Sequence, residues 1–144
     1  MEQEKLKYTE ITQKIIGCTM KVHQKMRNGY VEQIYQRCLA IEFSRMNIPF
    51  RQEAELPIYY EDIQVGRRRV DFLIEEKIIV ELKALSELTN QHLAQALNYL
   101  ETQRLEIGLL INFGAKSLQF KRLTNQQKLQ QSNNKNSINP IKIL

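Results

Sequence analysis

Two acidic residues and a lysine fall within an apolar stretch near the middle of the chain. Residues 70–83 read VDFLIEEKIIVELK, which predicts two short strands joined by an acidic turn at residues 75–77. Side chains alternate between the two faces of a strand, so Glu81 and Lys83 share a face, and strand pairing can bring Asp71 onto it. Charged groups are costly to bury among apolar side chains unless they pair with one another or hold a metal ion.

The two carboxylates have a definite chemical use. Asp71 and Glu81, on neighbouring strands, can bind a hard divalent cation such as Mg²⁺, which prefers oxygen ligands and keeps several waters. Such an ion lowers the pKa of a bound water and stabilises charge on a phosphoryl oxygen. Lys83 can orient the attacking water or neutralise the transition state. The alternative is that Glu81–Lys83 and Asp71–Arg69 are same-face ion pairs without chemistry.

Hydrophobic periodicity and turn signals predict the elements that position these residues. Helices are predicted at residues 8–27, 31–47 and 88–104, and strands at 50–60, 63–74, 77–84, 106–112 and 117–123. The order ααβββαββ indicates an α/β (α+β) fold with a mixed sheet of about four or five strands flanked by helices. Strand alternation places Val70, Phe72 and Ile74 on one face and Asp71 on the other. Residues 1–123 form one domain, and the Gln/Asn/Lys-rich residues 124–144 are predicted to be a disordered tail.

Residues of two predicted helices can contribute to the same site as the charged residues of the strands. Glu32 lies near the N-terminus of the second helix, on the side where its apolar stripe would continue toward that end. It is either a first-turn acid that the helix dipole favours or a carboxylate aimed at an active site. In the third helix, His92, Gln95 and Tyr99 form a polar stripe beside the apolar one.

The net charge is +5 and the sequence pI about 9.2, but the excess is unevenly placed. Three lysines and no acid lie in residues 124–144, which leaves residues 1–123 with a net charge of only +2. Local clusters of basic residues are therefore better evidence of a phosphate-binding surface than the overall charge is. The candidate phosphate contacts are Arg67 and Arg69, which share the face of Asp71 while Arg68 points away, together with Lys116, Lys121 and Arg122. A solvated, charge-balanced surface is the alternative.

Several classes of protein are excluded or disfavoured. The chain has no apolar run of about 18 residues, so a membrane span is not expected. Its N-terminal residues are charged and lack the apolar stretch of a signal peptide, which favours a cytoplasmic location. Cys18 and Cys38 show no CxxC or Cys/His spacing, so we expect free thiols rather than a zinc site or a disulfide.

Several blocks of the chain resemble a known superfamily. Asp71, nine intervening residues and then Glu81-Leu82-Lys83 resemble the motif of the PD-(D/E)XK nucleases, with Val70 in place of the proline. Residues 29–35, GYVEQIY, are similar to the signature of the GxxExxY proteins, a branch of that superfamily. The resemblance covers roughly residues 8–123 and includes, in order, the blocks LAIE, LPI, QALNY and GLLINFG.

This resemblance implies a restriction-endonuclease-like core and a site for Mg²⁺ or Mn²⁺. The implied ligands are Asp71, Glu81, the backbone carbonyl of Leu82 and, through water, Glu32. Lys83 is then the catalytic lysine. Gln95 is expected to contact the metal-site water or a substrate phosphate, and Tyr99 to support it.

The implied activity is hydrolysis of phosphodiester bonds in DNA, or less favourably in RNA. A nuclease fold without turnover is the alternative, acting as a nucleic-acid-binding or regulatory module in a defence or repair complex. The expected partner is nucleic acid, and members of this fold often pair to cut two strands. A homodimer or a protein complex is therefore consistent with the resemblance.

Overall fold

The computed structural model describes residues 2–125 and 142–143, and the side chains of residues 8–125. Its three helices are α1 (Glu2–Met26), α2 (Glu32–Arg45) and α3 (Asn90–Thr102). Its strands are β1 (Phe50–Tyr60), β2 (Ile63–Ile74), β3 (Ile78–Lys83), β4 (Ile107–Asn112), β5 (Gln119–Thr124) and β6 (Lys142–Ile143). The predicted order ααβββαββ is confirmed for residues 2–124.

The described strands form one mixed sheet in the order β1-β2-β3-β4-β5-β6. β3 and β4 are parallel and are connected through α3, whereas the other neighbours are antiparallel. The short strand β6 pairs with Gln119 and Phe120 of β5. Three residues of the predicted disordered tail, Thr124 in β5 and the two residues of β6, are thus in strands, and residues 126–141 and 144 lie outside the described part of the chain.

The sheet separates two apolar clusters. One lies between the sheet and the helices α1 and α2, and the buried side chains of Ile78, Val80 and Leu82 belong to it, as strand alternation predicts. The other lies under α3, where Ile79 and Leu100 are buried. Thr89 caps the N-terminus of α3, since its side chain accepts a hydrogen bond from the backbone N–H of His92.

The predicted alternation along β2 is wrong at Val70. Phe72 and Ile74 are buried in the α1–α2 cluster, but Val70 is buried in the α3 cluster. A regular strand would put all three on one face, so the alternation breaks around Asp71. Glu53, which lies across from this position on β1, has a φ of 53°, far from strand geometry.

β2 and β3 stop pairing just before the residues of interest. Their ladder contains only three residue pairs and ends at Phe72 and Val80. The preceding part of β2 pairs only with β1, while β3 continues beside β4 as far as Lys83. Because the strands diverge there, Asp71 and Glu81 flank a gap in the sheet.

The side chain of Asn112 fixes the loop that follows β3. Its Oδ1 accepts hydrogen bonds from the N–H groups of Leu85 (2.8 Å) and Gly114 (3.1 Å), and its Nδ2 donates to Leu85 O (3.0 Å) and Gln119 Oε1 (3.0 Å). Any β-carbon on Gly114 would collide with the backbone of Leu85. The asparagine and the glycine of the GLLINFG block are therefore structural, and they hold the end of β3 in place.

None of the helices within the described part of the chain is both long enough and apolar enough to cross a membrane. Cys18 and Cys38 are free thiols, as predicted.

Candidate active site

Asp71 bridges the gap between β2 and β3. Its Oδ2 accepts a hydrogen bond of 2.8 Å from the backbone N–H of Leu82, in place of a backbone partner on β2. The N–H and C=O of a strand residue point to the same side of the strand, so the carbonyl of Leu82 also faces this gap. A side-chain carboxylate and a backbone carbonyl oxygen thus lie at the same place.

Two glutamines, Gln36 and the exposed Gln52, orient Asp71 from the other side. Nε2 of Gln36 donates to Asp71 Oδ1 (2.8 Å), and Gln36 Oε1 accepts from Nε2 of Gln52 (2.8 Å). Gln36 is buried despite its polarity. Sequence reasoning missed this relay, although a glutamine directly after the core-facing Tyr35 was an available signal.

Glu81 is held by Arg68, which sequence alternation had pointing away from the site. Nη1 of Arg68 lies 2.5 Å from Glu81 Oε1, and its guanidinium carbon lies 3.8 Å from the centroid of the Tyr99 ring. Both side chains are largely covered, with exposed fractions of 24% for Arg68 and 16% for Glu81. Arg68 does point away from the face of Asp71. The face to which it points, however, is the one that Glu81 occupies.

The environment of Glu81 favours its protonated form. Burial raises the pKa of Glu81 to about 7, although the charge of Arg68 and its hydrogen bond oppose the shift. The negative charge of Asp71 raises this pKa further, and the positive charge of Lys83 lowers it. Asp71, Glu81 and Lys83 therefore interact electrostatically across the gap.

This shift predicts how Glu81→Gln changes stability in metal-free buffer. Glu81 keeps its proton up to about pH 7 in the folded protein, whereas the ordinary pKa of such a carboxyl is 4.5, so its ionisation destabilises the fold as pH rises through this window. We expect the difference in unfolding free energy, variant minus wild type, to rise between pH 5 and 8 by on the order of 2 kcal/mol. Urea denaturation at several pH values measures it. Glu87→Gln, at an exposed position, is the control, and equal slopes for both variants would contradict the prediction.

Glu32 joins the group from the start of α2. Partial burial raises the pKa of its carboxyl, the positive charge of Lys83 lowers it, the negative charge of Asp71 raises it, and a backbone hydrogen bond from Ala84 lowers it. The carboxyl remains open to solvent on one side. Glu32 thus interacts with Lys83 and Asp71, as expected of a carboxylate aimed at the site.

The residues around Glu32 explain how the loop before α2 is held. Gly29 has a φ of 121°, which side chains rarely tolerate. The hydroxyl of Tyr35 donates to the carbonyl of Arg27 (2.5 Å) and accepts from the N–H of Tyr30 (3.2 Å), and its ring stacks on Phe113 with centroids 4.5 Å apart. The glycine and tyrosine of GYVEQIY therefore fix the loop, and Glu32 is the residue of this segment that faces the site.

A family model described as the PD-(D/E)XK nuclease superfamily matches residues 9–123. The chain belongs to this superfamily. No curated protein and no solved structure matches it. PD-(D/E)XK nucleases generally depend on a divalent metal, and membership supports a nuclease-like function and an association with nucleic acid.

The oxygen atoms around the gap suit the hard cation that PD-(D/E)XK nucleases use. Among residues 8–125, no three His, Cys, Asp or Glu side chains are grouped as a ready set of metal ligands. Mg²⁺, however, is usually held by one or two carboxylates together with waters. Asp71 and Glu81 supply two carboxylates and Leu82 a carbonyl, and each carboxylate has acceptor positions beyond its present hydrogen bonds. The donor set therefore fits.

The remaining predicted residues of this PD-(D/E)XK domain are not all brought to the site. Gln95 is exposed on α3 and its side chain makes no hydrogen bond to another described residue, whereas Tyr99 reaches the site through Arg68. Of the predicted phosphate contacts, Arg67, Arg69 and Lys116 are exposed. Lys121 is only 2% exposed and Arg122 is half-buried, with a pKa that desolvation lowers. These two do not fit a solvent-facing phosphate track.

Proposed function

We propose that this chain is a metal-dependent nuclease of the GxxExxY branch, which hydrolyses phosphodiester bonds in DNA, or less favourably in RNA, in the cytoplasm. The observation that supports it is the meeting of four charged residues from three elements around one gap in the sheet. Asp71 interacts with Glu81 and Glu32, and Lys83 interacts with both glutamates. Such a concentration of perturbed carboxylates is typical of a functional site.

The residues have distinct roles in this proposal. Asp71, Glu81 and the carbonyl of Leu82 would hold Mg²⁺ or Mn²⁺, which when bound supplies an acidified water and neutralises phosphoryl charge. Glu32 would accept a hydrogen bond from a water of that ion. The ammonium group of Lys83, which interacts electrostatically with Glu32 and Glu81, would orient the attacking water. It would also stabilise negative charge on the phosphate.

The exposed arginines of β2 support a nucleic-acid substrate. Arg67 and Arg69 lie on the part of β2 that leads directly to Asp71, and both are exposed. A guanidinium group can donate two parallel hydrogen bonds to phosphate oxygens. These arginines would therefore hold the backbone of a nucleic-acid strand whose scissile phosphate reaches the gap. Lys116 is the other exposed candidate. Gln95, exposed on α3, would contact substrate only if the strand also crosses that helix.

The decisive experiment is an assay of metal-dependent cleavage. We expect labelled DNA to be cut with Mg²⁺ or Mn²⁺ and to be left intact with a chelator. Lys83→Met should lower the rate by about a hundredfold or more, because the water and the phosphate lose a positioned ammonium group. Lys77→Met, in the exposed turn before β3, is the matched control. Cleavage that survives chelation, or that is equal in both variants, would contradict the proposal.

One observation favours a second candidate, a nuclease-fold module that binds nucleic acid without turnover. Arg68 already neutralises Glu81, and both oxygens of Asp71 already accept hydrogen bonds. Because both carboxylates already have these partners, the site needs no metal for its stability. Calorimetric titration with Mg²⁺ separates the two functions. An absence of metal binding with retained affinity for DNA would favour the silent module, acting within a homodimer or a larger complex.

A further inference from the structure

Arg68 occupies an unusual position for an arginine on a surface strand. Its guanidinium lies between a carboxylate at 2.5 Å and an aromatic ring at 3.8 Å, and only 24% of its side chain is exposed. Its neighbours Arg67 and Arg69 are exposed. Arg68 is therefore held by two side-chain contacts from two other elements, β3 and α3, rather than extending freely into solvent.

We propose that Arg68 is a positioning residue that serves as the internal counter-ion of the site and must release Glu81 before a divalent cation binds there. The strength of the Arg68–Glu81 pair then sets the affinity of the site for the cation. This inference rests on the proposed function, because it assumes that Glu81 is a metal ligand.

Glu81 needs a nearby positive charge when it is ionised. A carboxylate that is only 16% exposed is unstable without a nearby cation, and Arg68 supplies the one ion pair of Glu81 within the described residues. Lys83 interacts with Glu81 but does not approach it as an ion pair. In the absence of metal, Arg68 is thus the cation that completes the site.

The two cations compete for the same carboxylate. A guanidinium at hydrogen-bond distance and a divalent ion at coordination distance would repel each other strongly in a largely desolvated place. Glu81 Oε2 accepts no hydrogen bond from a described residue, but an ion bound there would lie beside the guanidinium on Oε1. Arg68 must therefore withdraw from Oε1 when the ion binds. The energy lost when that pair breaks is subtracted from the energy gained when the ion binds.

Tyr99 determines where Arg68 goes. The stacking of the guanidinium on the ring does not depend on the charge state of Glu81, so it can keep Arg68 beside the site after release. A guanidinium freed there is available to a substrate phosphate. This assigns Tyr99 a positioning role through Arg68, and it explains why an aromatic residue stands at this place on α3.

Calorimetric titration of the full chain with Mg²⁺ tests the inference. Arg68→Gln should bind Mg²⁺ about tenfold more tightly than wild type, because the competing cation is gone. Arg104→Gln is the matched control. Arg104 also pairs with an acid, Asp62 (3.1 Å), and stacks on a tyrosine, Tyr59 (4.3 Å), but it lies away from the gap, so its removal should change the affinity less than about twofold.

The double variant Asp71→Asn with Arg68→Gln should lose the affinity that Arg68→Gln gains. This loss would show that the additional Mg²⁺ binds at the gap beside Asp71.

A second measurement does not depend on any variant. In ¹⁵N-labelled wild type, Mg²⁺ should shift the Nε–H resonance of Arg68 and leave that of Arg104 in place. An Arg68→Gln affinity equal to or weaker than wild type, with Glu81→Gln abolishing binding, would overturn the inference and leave the metal site standing. Absence of Mg²⁺ binding to both wild type and Arg68→Gln would overturn the inference together with the proposed function.

Discussion

Asp71→Asn is expected to abolish Mg²⁺ binding and to lower DNA cleavage about a thousandfold or more. The substitution removes the negative charge at the gap but keeps the shape of the side chain. One oxygen can still accept from Leu82 N, and the amides of Gln36 and Gln52 can turn over to satisfy the new NH₂ group. The loss is therefore electrostatic, and several kcal/mol of transition-state stabilisation correspond to a factor of this size.

Calorimetry with Mg²⁺ and single-turnover cleavage measure the two effects of Asp71→Asn separately. Asp62→Asn is the control, since Asp62 is an aspartate in the same β1–β2 hairpin with a side chain that is 97% exposed. Thermal unfolding shows whether the fold is kept. If Asp71→Asn retains both Mg²⁺ affinity and cleavage, the catalytic site lies elsewhere on the molecule.

Tyr35→Ala is expected to destabilise the protein by about 3–5 kcal/mol. Tyr35 is fully buried, and its ring stacks on Phe113 while its hydroxyl joins two backbone groups of the loop before α2. Removal of the ring leaves a cavity between α2 and the end of β4. Tyr35→Phe keeps the ring and loses only the hydroxyl, so it should cost about 1–2 kcal/mol.

Urea denaturation of the two Tyr35 variants separates packing from hydrogen bonding. Tyr60→Ala is the control, because this tyrosine is 66% exposed at the end of β1 and should cost less than about 0.5 kcal/mol. Tyr35→Phe should also weaken cleavage, because the loop that carries Glu32 loses its anchor. Equal stability of wild type and Tyr35→Phe would mean that other contacts hold this loop.

The residue pattern alone determined most of the fold and named the residues at the centre of the candidate site. Hydrophobic runs separated by turn residues predicted every element between residues 2 and 124, because strands and helices with one buried face repeat apolar residues at fixed periods. The same period placed Glu81 and Lys83 on one face of β3. Strand pairing suggested that Asp71 could join them, and sequence similarity added the superfamily and favoured an active-site role for Glu32.

Only the tertiary structure decided how the charges are paired. Period-two alternation assumes a regular strand, and it failed at Val70, where β2 leaves β3 and the side chain of Asp71 takes over the bond to Leu82. Period-two alternation also predicted that Arg68 points away from the site. The face on which Arg68 lies nevertheless meets Glu81 and Tyr99 once α3 packs on the sheet. The position of Gln36 directly after Tyr35 hinted at burial, but it did not indicate that the side chain of Gln36 would meet Asp71. Such contacts join residues far apart in the chain, and local periodicity carries no information about which distant partner a polar side chain meets.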